Sequence, residues 1–203
     1  MKYFVTAIDT DSGKTIVSAI LCEALGADYW KPVQAGLPRD LHTVQALVSN
    51  PHVNFHAETF LLNTPASPHA SAKADGIKIN FDAFKLPTTN HDLIIEGAGG
   101  CLVPLNEVAF VTDLISYFNA TVILVADLYL GSINHTLLTV EALRSRKLPI
   151  KGIIFNGDPT PESERIILQH TSLECLLRIK REPVVDKEMI RTYAEKLKEN
   201  WHE

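Results

Sequence analysis

The chain has 203 residues, 46% of them hydrophobic and 21% charged, with a formal net charge of −5. That length suffices for one well-buried α/β domain and is short for two, so residues 1–203 are expected to form a single domain. The composition excludes a disordered chain, the acidic balance without a basic stripe excludes broad nucleic-acid binding, and no run of about 18 apolar residues offers a spanning helix or a membrane partner.

Three widely spaced cysteines, Cys22, Cys101 and Cys175, form neither a disulfide framework nor a CxxC metal site and suit a reducing cytoplasm. Met1-Lys2 reaches Asp9 without an apolar stretch of signal-peptide length, so a cytoplasmic protein is expected.

The apolar run Tyr3-Phe4-Val5-Thr6 leads through Ala7-Ile8-Asp9-Thr10-Asp11-Ser12-Gly13-Lys14-Thr15 into the apolar-periodic residues Ile16, Val17, Ala19, Ile20 and Leu21. This reads as strand, phosphate loop, helix. Backbone N–H groups at a helix N-terminus supply oriented donors and a positive dipole end for a triphosphate. Lys14 adds a mobile charge for the outer phosphates, and the Thr15 hydroxyl is placed for magnesium. The motif is a variant, because Ile8 and Ala7 stand where its first glycine is usual. A Ser-Gly turn capping an ordinary helix, with Lys14 solvated, is the plainer alternative.

The first helix is expected to end near Gly26. Asp28-Tyr29-Trp30-Lys31-Pro32-Val33 follows as a short strand, with Lys31 at the C-terminal end where open parallel sheets bind ligands. From Asp40 to Val48, Leu41, Val44, Leu47 and Val48 share one face of a short helix with Asp40 as its cap. Pro51, Pro65, Pro68 and Pro87 confine the next stretch to short helices and loops. Leu93-Ile94-Ile95 is a buried parallel strand closed by Glu96-Gly97-Ala98-Gly99-Gly100. Thr121 to Val125 and Ile150 to Phe155 are further strands, and the helix from Ser132 to Arg146 between them has Ser132 as N-cap. A last helix starts near Asp186 with Met189, Ile190, Tyr193, Leu197 and Trp201 as its stripe. The alternation predicts a single-domain α/β P-loop fold with a mostly parallel sheet covered by helices on both faces.

Strand C-termini of a parallel sheet share one edge, so Lys14, Thr15, Lys31, Asp40 and Glu96 are expected to converge. Thr15, Asp40 and Glu96 supply the few oxygens that magnesium on ATP requires, and Lys31 becomes a second cation where charge develops on a transferring phosphoryl group. Each has a plain alternative: a helix cap for Asp40, a solvated loop residue for Lys31, and Asp127 as a competitor for the acidic role. His52 and His56 lack a third metal ligand, Cys101 reads as an apolar filler, and His135 reads as a core histidine.

Thr10-Asp11-Ser12-Gly13-Lys14-Thr15, Lys31-Pro32-Val33-Gln34-Ala35-Gly36, Ser67-Pro68-His69, Glu96-Gly97-Ala98-Gly99-Gly100, Gly131-Ser132-Ile133-Asn134-His135-Thr136 and Asn156 together resemble the dethiobiotin synthetase family, over residues from about 3 to 158. The resemblance implies an ATP-dependent, magnesium-requiring ring closure. 7,8-Diaminononanoate captures CO2 as a carbamate, the carbamate oxygen attacks the γ-phosphate, and the second amine closes the ureido ring with loss of phosphate. It implies Lys31, Lys14, Thr10 and Asp11 near the reacting groups. ATP would be held by Asp11, Ser12, Gly13, Lys14, Thr15, Ile16, Asp40, Glu96, Gly97, Ala98, Gly99, Asn156 and Gly157, with Asn156 toward the adenine edge. Gln34, Ala35 and Gly36 would form the substrate loop. The substrate's carboxylate tail would be held across a homodimer interface by Gly131, Ser132 and Asn134. The chain departs from the family pattern at Ala7 (usually glycine), Ala35 (usually serine) and Ile179-Lys180-Arg181-Glu182-Pro183, where a Gly-x-Ile-Pro turn is usual. An inactive member is one alternative. Another is a switch ATPase of the partitioning or site-positioning type; such proteins carry an additional early lysine in the loop, and residues 7 to 12 contain none.

Overall fold

A computed structural model describes residues 1–202. The chain runs β1 (Lys2–Ala7), α1 (Lys14–Leu25), β2 (Asp28–Trp30), β3 (Val33–Ala35), α2 (Asp40–Leu47), β4 (Phe55–His56), β5 (Phe60–Leu62), α3 (Pro68–Ala74), a 3-10 turn (Phe81–Ala83), β6 (Leu93–Gly100), α4 (Val111–Phe118), β7 (Thr121–Asp127), α5 (Ser132–Ser145), β8 (Ile150–Asn156), α6 (Pro161–Thr171), β9 (Cys175–Ile179) and α7 (Lys187–Asn200). Seven strands form one sheet in the order β4-β2-β6-β1-β7-β8-β9, and each of its ladders is parallel. Residues of α1, α2 and α7 pack on one face and residues of α4, α5 and α6 on the other, so the central strands are apolar on both sides.

Several local expectations change. The strand expected over 28–33 stops at Trp30 because Pro32 has no N–H with which to continue a ladder. Its carbonyl instead accepts from the Thr59 and Phe60 amides, and Val33–Ala35 pairs with β5 in a separate two-stranded sheet. The stretch expected to hold only short helices and loops therefore contains two short strands, β4 and β5. Helix α2 is capped by Arg39, with Asp40 its first helical residue, and α5 is capped by Gly131 at φ 110°, with Ser132 already inside and buried. Strand β6 does not close at Glu96 but continues to Gly100. Its register with β1 slips between Val5 and Ala7, where two steps on β1 face four on β6. Glycine makes this possible: a Cβ on Gly97 would sit 2.8 Å from the Phe4 ring, and Gly99 has φ 68°. Helices α4 and α6 and strand β9 arise in stretches where no element was expected.

Candidate functional site

Register carries the two central charges together. In the β2–β6 ladder Tyr29 lies opposite Ile94 and Trp30 opposite Ile95, so the next residues, Lys31 and Glu96, emerge level with each other. Strand alternation sends both to the face covered by α1, whose N-terminus brings Lys14 and Thr15. Lys31 Nζ lies 2.9 Å from Glu96 Oε1 and 2.6 Å from Asp40 Oδ2. Glu96 Oε1 also accepts from Thr15 Oγ1 at 3.1 Å, and Oε2 accepts from the Tyr29 hydroxyl at 3.0 Å. Lys31 is 4% and Glu96 1% exposed, a burial that ionised groups tolerate only when paired. Asp40 is presented from α2 by Gln34, whose Oε1 accepts the Asp40 amide at 3.1 Å while Nε2 donates to the Gly36 carbonyl at 3.0 Å.

The two lysines are held in opposite senses. Burial and then the neighbouring Lys31 lower Lys14 to about 8. Burial also acts to lower Lys31, but the Glu96 and Asp40 carboxylates outweigh it and raise its pKa. Burial, followed by the charge of Glu96, raises Tyr29 far above the usual phenol value, so it stays an O–H donor. Lys14 Nζ donates to the Asp9 carbonyl at 3.0 Å, lying back across the loop.

A cleft of about 710 Å³ opens above this cluster. Of the expected site residues, Thr10, Asp11, Gly13, Lys14, Thr15, Ile16, Lys31, Gln34, Ala35, Asp40, Glu96, Ala98 and Gly99 line it. Ser12 is buried beneath the loop, its hydroxyl donating to the Asp9 and Thr10 carbonyls at 3.1 Å. Gly36 is tied to β5 through its amide, and the Gly97 carbonyl accepts from Lys31 Nζ at 3.4 Å. Asn156 stands beside Gly13, its amide nitrogen donating to the Ser12 carbonyl at 2.9 Å, and Gly157 bonds the Ile179 carbonyl. Gly131, Ser132 and Asn134 do not line the cleft of their own chain. Asp127 lines a smaller cleft of about 370 Å³ with Asp9, Thr10, Asp11, Ser12 and Tyr129, apart from the lysines.

Tyr29, Pro65, Ala66 and Val103 carried no functional expectation, and Ser67 and Pro68, part of a family motif, had no expected site role although they line the cleft. Tyr29 had a signal, its place two residues before Lys31 on the same strand face. His135 is exposed, not in the core, and meets the Tyr129 hydroxyl at 2.5 Å. His56 faces Asp28 Oδ2 at 3.0 Å, and among the described residues no group of three or more His, Cys, Asp or Glu is gathered to hold a metal. One hydroxyl and two carboxylates around Lys31 are hard oxygen donors, few in number. That donor set fits magnesium that brings its own phosphate oxygens and waters. Among the described residues no helix is long and apolar enough to cross a membrane.

A family model described as AAA domain matches residues 1–189. An ATP-dependent dethiobiotin synthetase of Cytophaga hutchinsonii is 56% identical over 204 aligned residues, covering 100% of this chain and 99% of that protein. The chain belongs to the dethiobiotin synthetase family. Synthetases so named from Christiangramia forsetii (51% identical, 97% of this chain and 96% of that protein) and Brucella ovis (44%, 91% and 87%) match as well. Among solved structures, a cell division ATPase of Pyrococcus furiosus superposes with a TM-score of 0.58 at 15% identity, covering 98% of both chains. A putative plasmid partition protein of Borrelia burgdorferi bound to AMPPNP superposes at 0.57 and 12%, covering 98% of this chain and 96% of that one. At such identity these two share the fold and no more. The switch-ATPase reading is therefore not favoured over membership of the synthetase family.

Proposed function

We propose that this chain catalyses the ATP-dependent carboxylation and ring closure of 7,8-diaminononanoate with CO2 to dethiobiotin, giving ADP and phosphate, and that residues 1–203 act as one cytoplasmic synthetase domain. What carries the reading is the buried Lys31 ammonium held by Glu96 and Asp40 beneath a cleft that Lys14 also lines, in a chain 44–56% identical to proteins of that name. One amine of the substrate takes CO2 as a carbamate, and a carbamate oxygen displaces ADP from the γ-phosphorus. The second amine then attacks the carbamoyl carbon, closing the ring as phosphate leaves.

Every species on that path is anionic where the phosphoryl group moves, so fixed cations and N–H donors at that place stabilise the transition state. Lys31 is held charged by its carboxylates, and to donate to the transferring group it gives up one of its three partners, Glu96 Oε1, Asp40 Oδ2 or the Gly97 carbonyl. Lys14 leaves the Asp9 carbonyl for the outer phosphates, and the amides of residues 11–16 bind the chain of phosphates. Thr15, Asp40 and Glu96 would hold magnesium, which supplies further neutralisation of phosphate charge. Thr10 and Asp11 flank the reacting amine, and Gln34 and Ala35, which line the cleft, stand along its approach. Asn156, whose amide nitrogen is committed to Ser12, presents its carbonyl oxygen for the purine amino group.

In a homodimer, Gly131, Ser132 and Asn134 of the partner subunit would receive the substrate's carboxylate at a helix opening.

The test is phosphate release from ATP with magnesium, bicarbonate and the diamine, with dethiobiotin identified by mass. Release that requires the diamine is expected; slow hydrolysis indifferent to it overturns the proposal. Two inactive variants, Lys31→Ala and Asn134→Ala, should regain activity when mixed, because a mixed dimer keeps one intact site.

A further inference from the structure

Glu96 uses its two oxygens for different neighbours, and the division is made from below. Oε1 meets Lys31 Nζ and Thr15 Oγ1, while among the described residues the Tyr29 hydroxyl, at 3.0 Å, is the donor to Oε2. Tyr29 is fully buried, packed in the cluster that includes Val17, Ile20 and Leu21 of α1 and Val44 of α2. Its position on β2, two residues before Lys31 and on the same face, sets the phenol one step deeper than the ammonium. Tyr29 is 0% and Glu96 1% exposed, so bulk water does not replace the phenol as donor to Oε2. Without it, Oε2 would be an unpaired buried oxygen, relieved by turning the carboxylate toward Thr15 and Lys31. That turn disturbs the groups that face the cleft.

We infer that Tyr29 is a positioning residue, whose buried hydroxyl holds Glu96 in the orientation that meets Lys31, Thr15 and a magnesium–ATP complex. The inference rests on the function proposed above. A phenylalanine would fill the same space, so packing alone does not require the oxygen; the oxygen is needed because a carboxylate stands above it. Groups that orient a metal-binding carboxylate through a hydrogen bond change metal affinity or activity by about 10–100-fold when removed.

The experiment compares wild type with Tyr29→Phe in three measurements: calorimetric ATP binding with magnesium chloride and with EDTA, steady-state turnover, and thermal melting. The gain in ATP affinity that magnesium confers should fall about tenfold or more. Turnover number should fall with it, while KM for the diamine stays within about twofold. In a Glu96→Ala background the added Tyr29→Phe change should alter neither quantity, because the carboxylate it acts through is gone.

A Tyr29→Phe protein with a native magnesium effect and native turnover, differing only in melting temperature, would overturn the inference and leave a packing tyrosine. Should Tyr29→Phe not fold, the double variant against Glu96→Ala alone decides, and an added loss there is the overturning result. Wild-type turnover judges the function itself. If no dethiobiotin forms, that reading fails while the ATP-binding comparison still judges Tyr29.

Discussion

Replacing Lys31 by methionine tests the centre of the site. The side chain keeps its length and loses its charge, leaving Glu96, 1% exposed, without its cation. Removing one member of a buried ion pair costs about 3–5 kcal/mol. Here Glu96 keeps the Tyr29 and Thr15 donors, and the Asp40 side chain, 29% exposed, can turn to water, so the lower end, about 3 kcal/mol, applies. For a chain of this size each kcal/mol moves the melting temperature by about 2–4 °C, giving a fall of about 6–12 °C. Adding Glu96→Gln removes the stranded charge and should recover at least about half of that loss, whereas turnover should be down by more than about 100-fold in both variants. Calorimetric melting near neutral pH without nucleotide, with phosphate release in parallel, measures both effects. A Lys31→Met protein melting within about 2 °C of wild type, or a double variant no more stable than the single, refutes the reasoning that Glu96 depends on Lys31.

Gly13→Ala should weaken ATP binding at least about tenfold and cost about 1–3 kcal/mol, since Gly13 has φ 92° and a Cβ there would lie 2.4 Å from the Asn156 amide nitrogen; calorimetric titration with ATP checks it. At the opposite end of β2, the buried Asp28 carboxylate faces the Asn54 amide, His56 Nε2 and His91 Nδ1, each at 3.0 Å. Burial raises its pKa, but the hydrogen bonds from Asn54, His91, Thr89 and His56 outweigh it and hold the group well below the usual carboxylate range. A depressed folded pKa gives stability that is present above the unfolded value of about 3.9 and lost as pH falls through the folded one. Asp28→Asn should therefore lower the melting temperature at pH 7 and flatten its acid limb, and an acid limb parallel to wild type speaks against the assignment. Gln34→Ala removes the acceptor at the α2 N-terminus and should cost about 1 kcal/mol, as losing a helix cap does. An unchanged melting temperature with a raised KM for the diamine would instead place Gln34 on the substrate.

The central strands and the phosphate loop were legible because they are local. Ile94-Ile95 and Val122 to Val125 are continuous apolar runs, and Gly13-Lys14-Thr15 sits where a strand turns into a helix. Helix α4 had the same kind of signal, with Val111, Leu114, Ile115 and Phe118 at helical spacing, as did α6, with Pro161 in its first turn. What failed locally did so at residues whose partners are distant in sequence. Pro32 ends β2 because its carbonyl goes to Thr59 and Phe60, and Asp40 gives up the capping role because Lys31 and Gln34 claim its two ends.

By itself the sequence determined the central strands β1, β6, β7 and β8 with helices α1, α2, α5 and α7, the presence of a triphosphate-binding loop and, through a combination of short motifs, the family. These depend on periodicity and on residue types at fixed spacing, which a linear chain displays. Only the tertiary structure decided that Lys31 binds Glu96 and Asp40 rather than solvent, that Tyr29 stands under Glu96, and that Asn156 is tied to the phosphate loop. Each is a contact between strands or helices brought side by side by sheet register. A hydrogen bond of 3 Å depends on that register, and no interval along the chain encodes it.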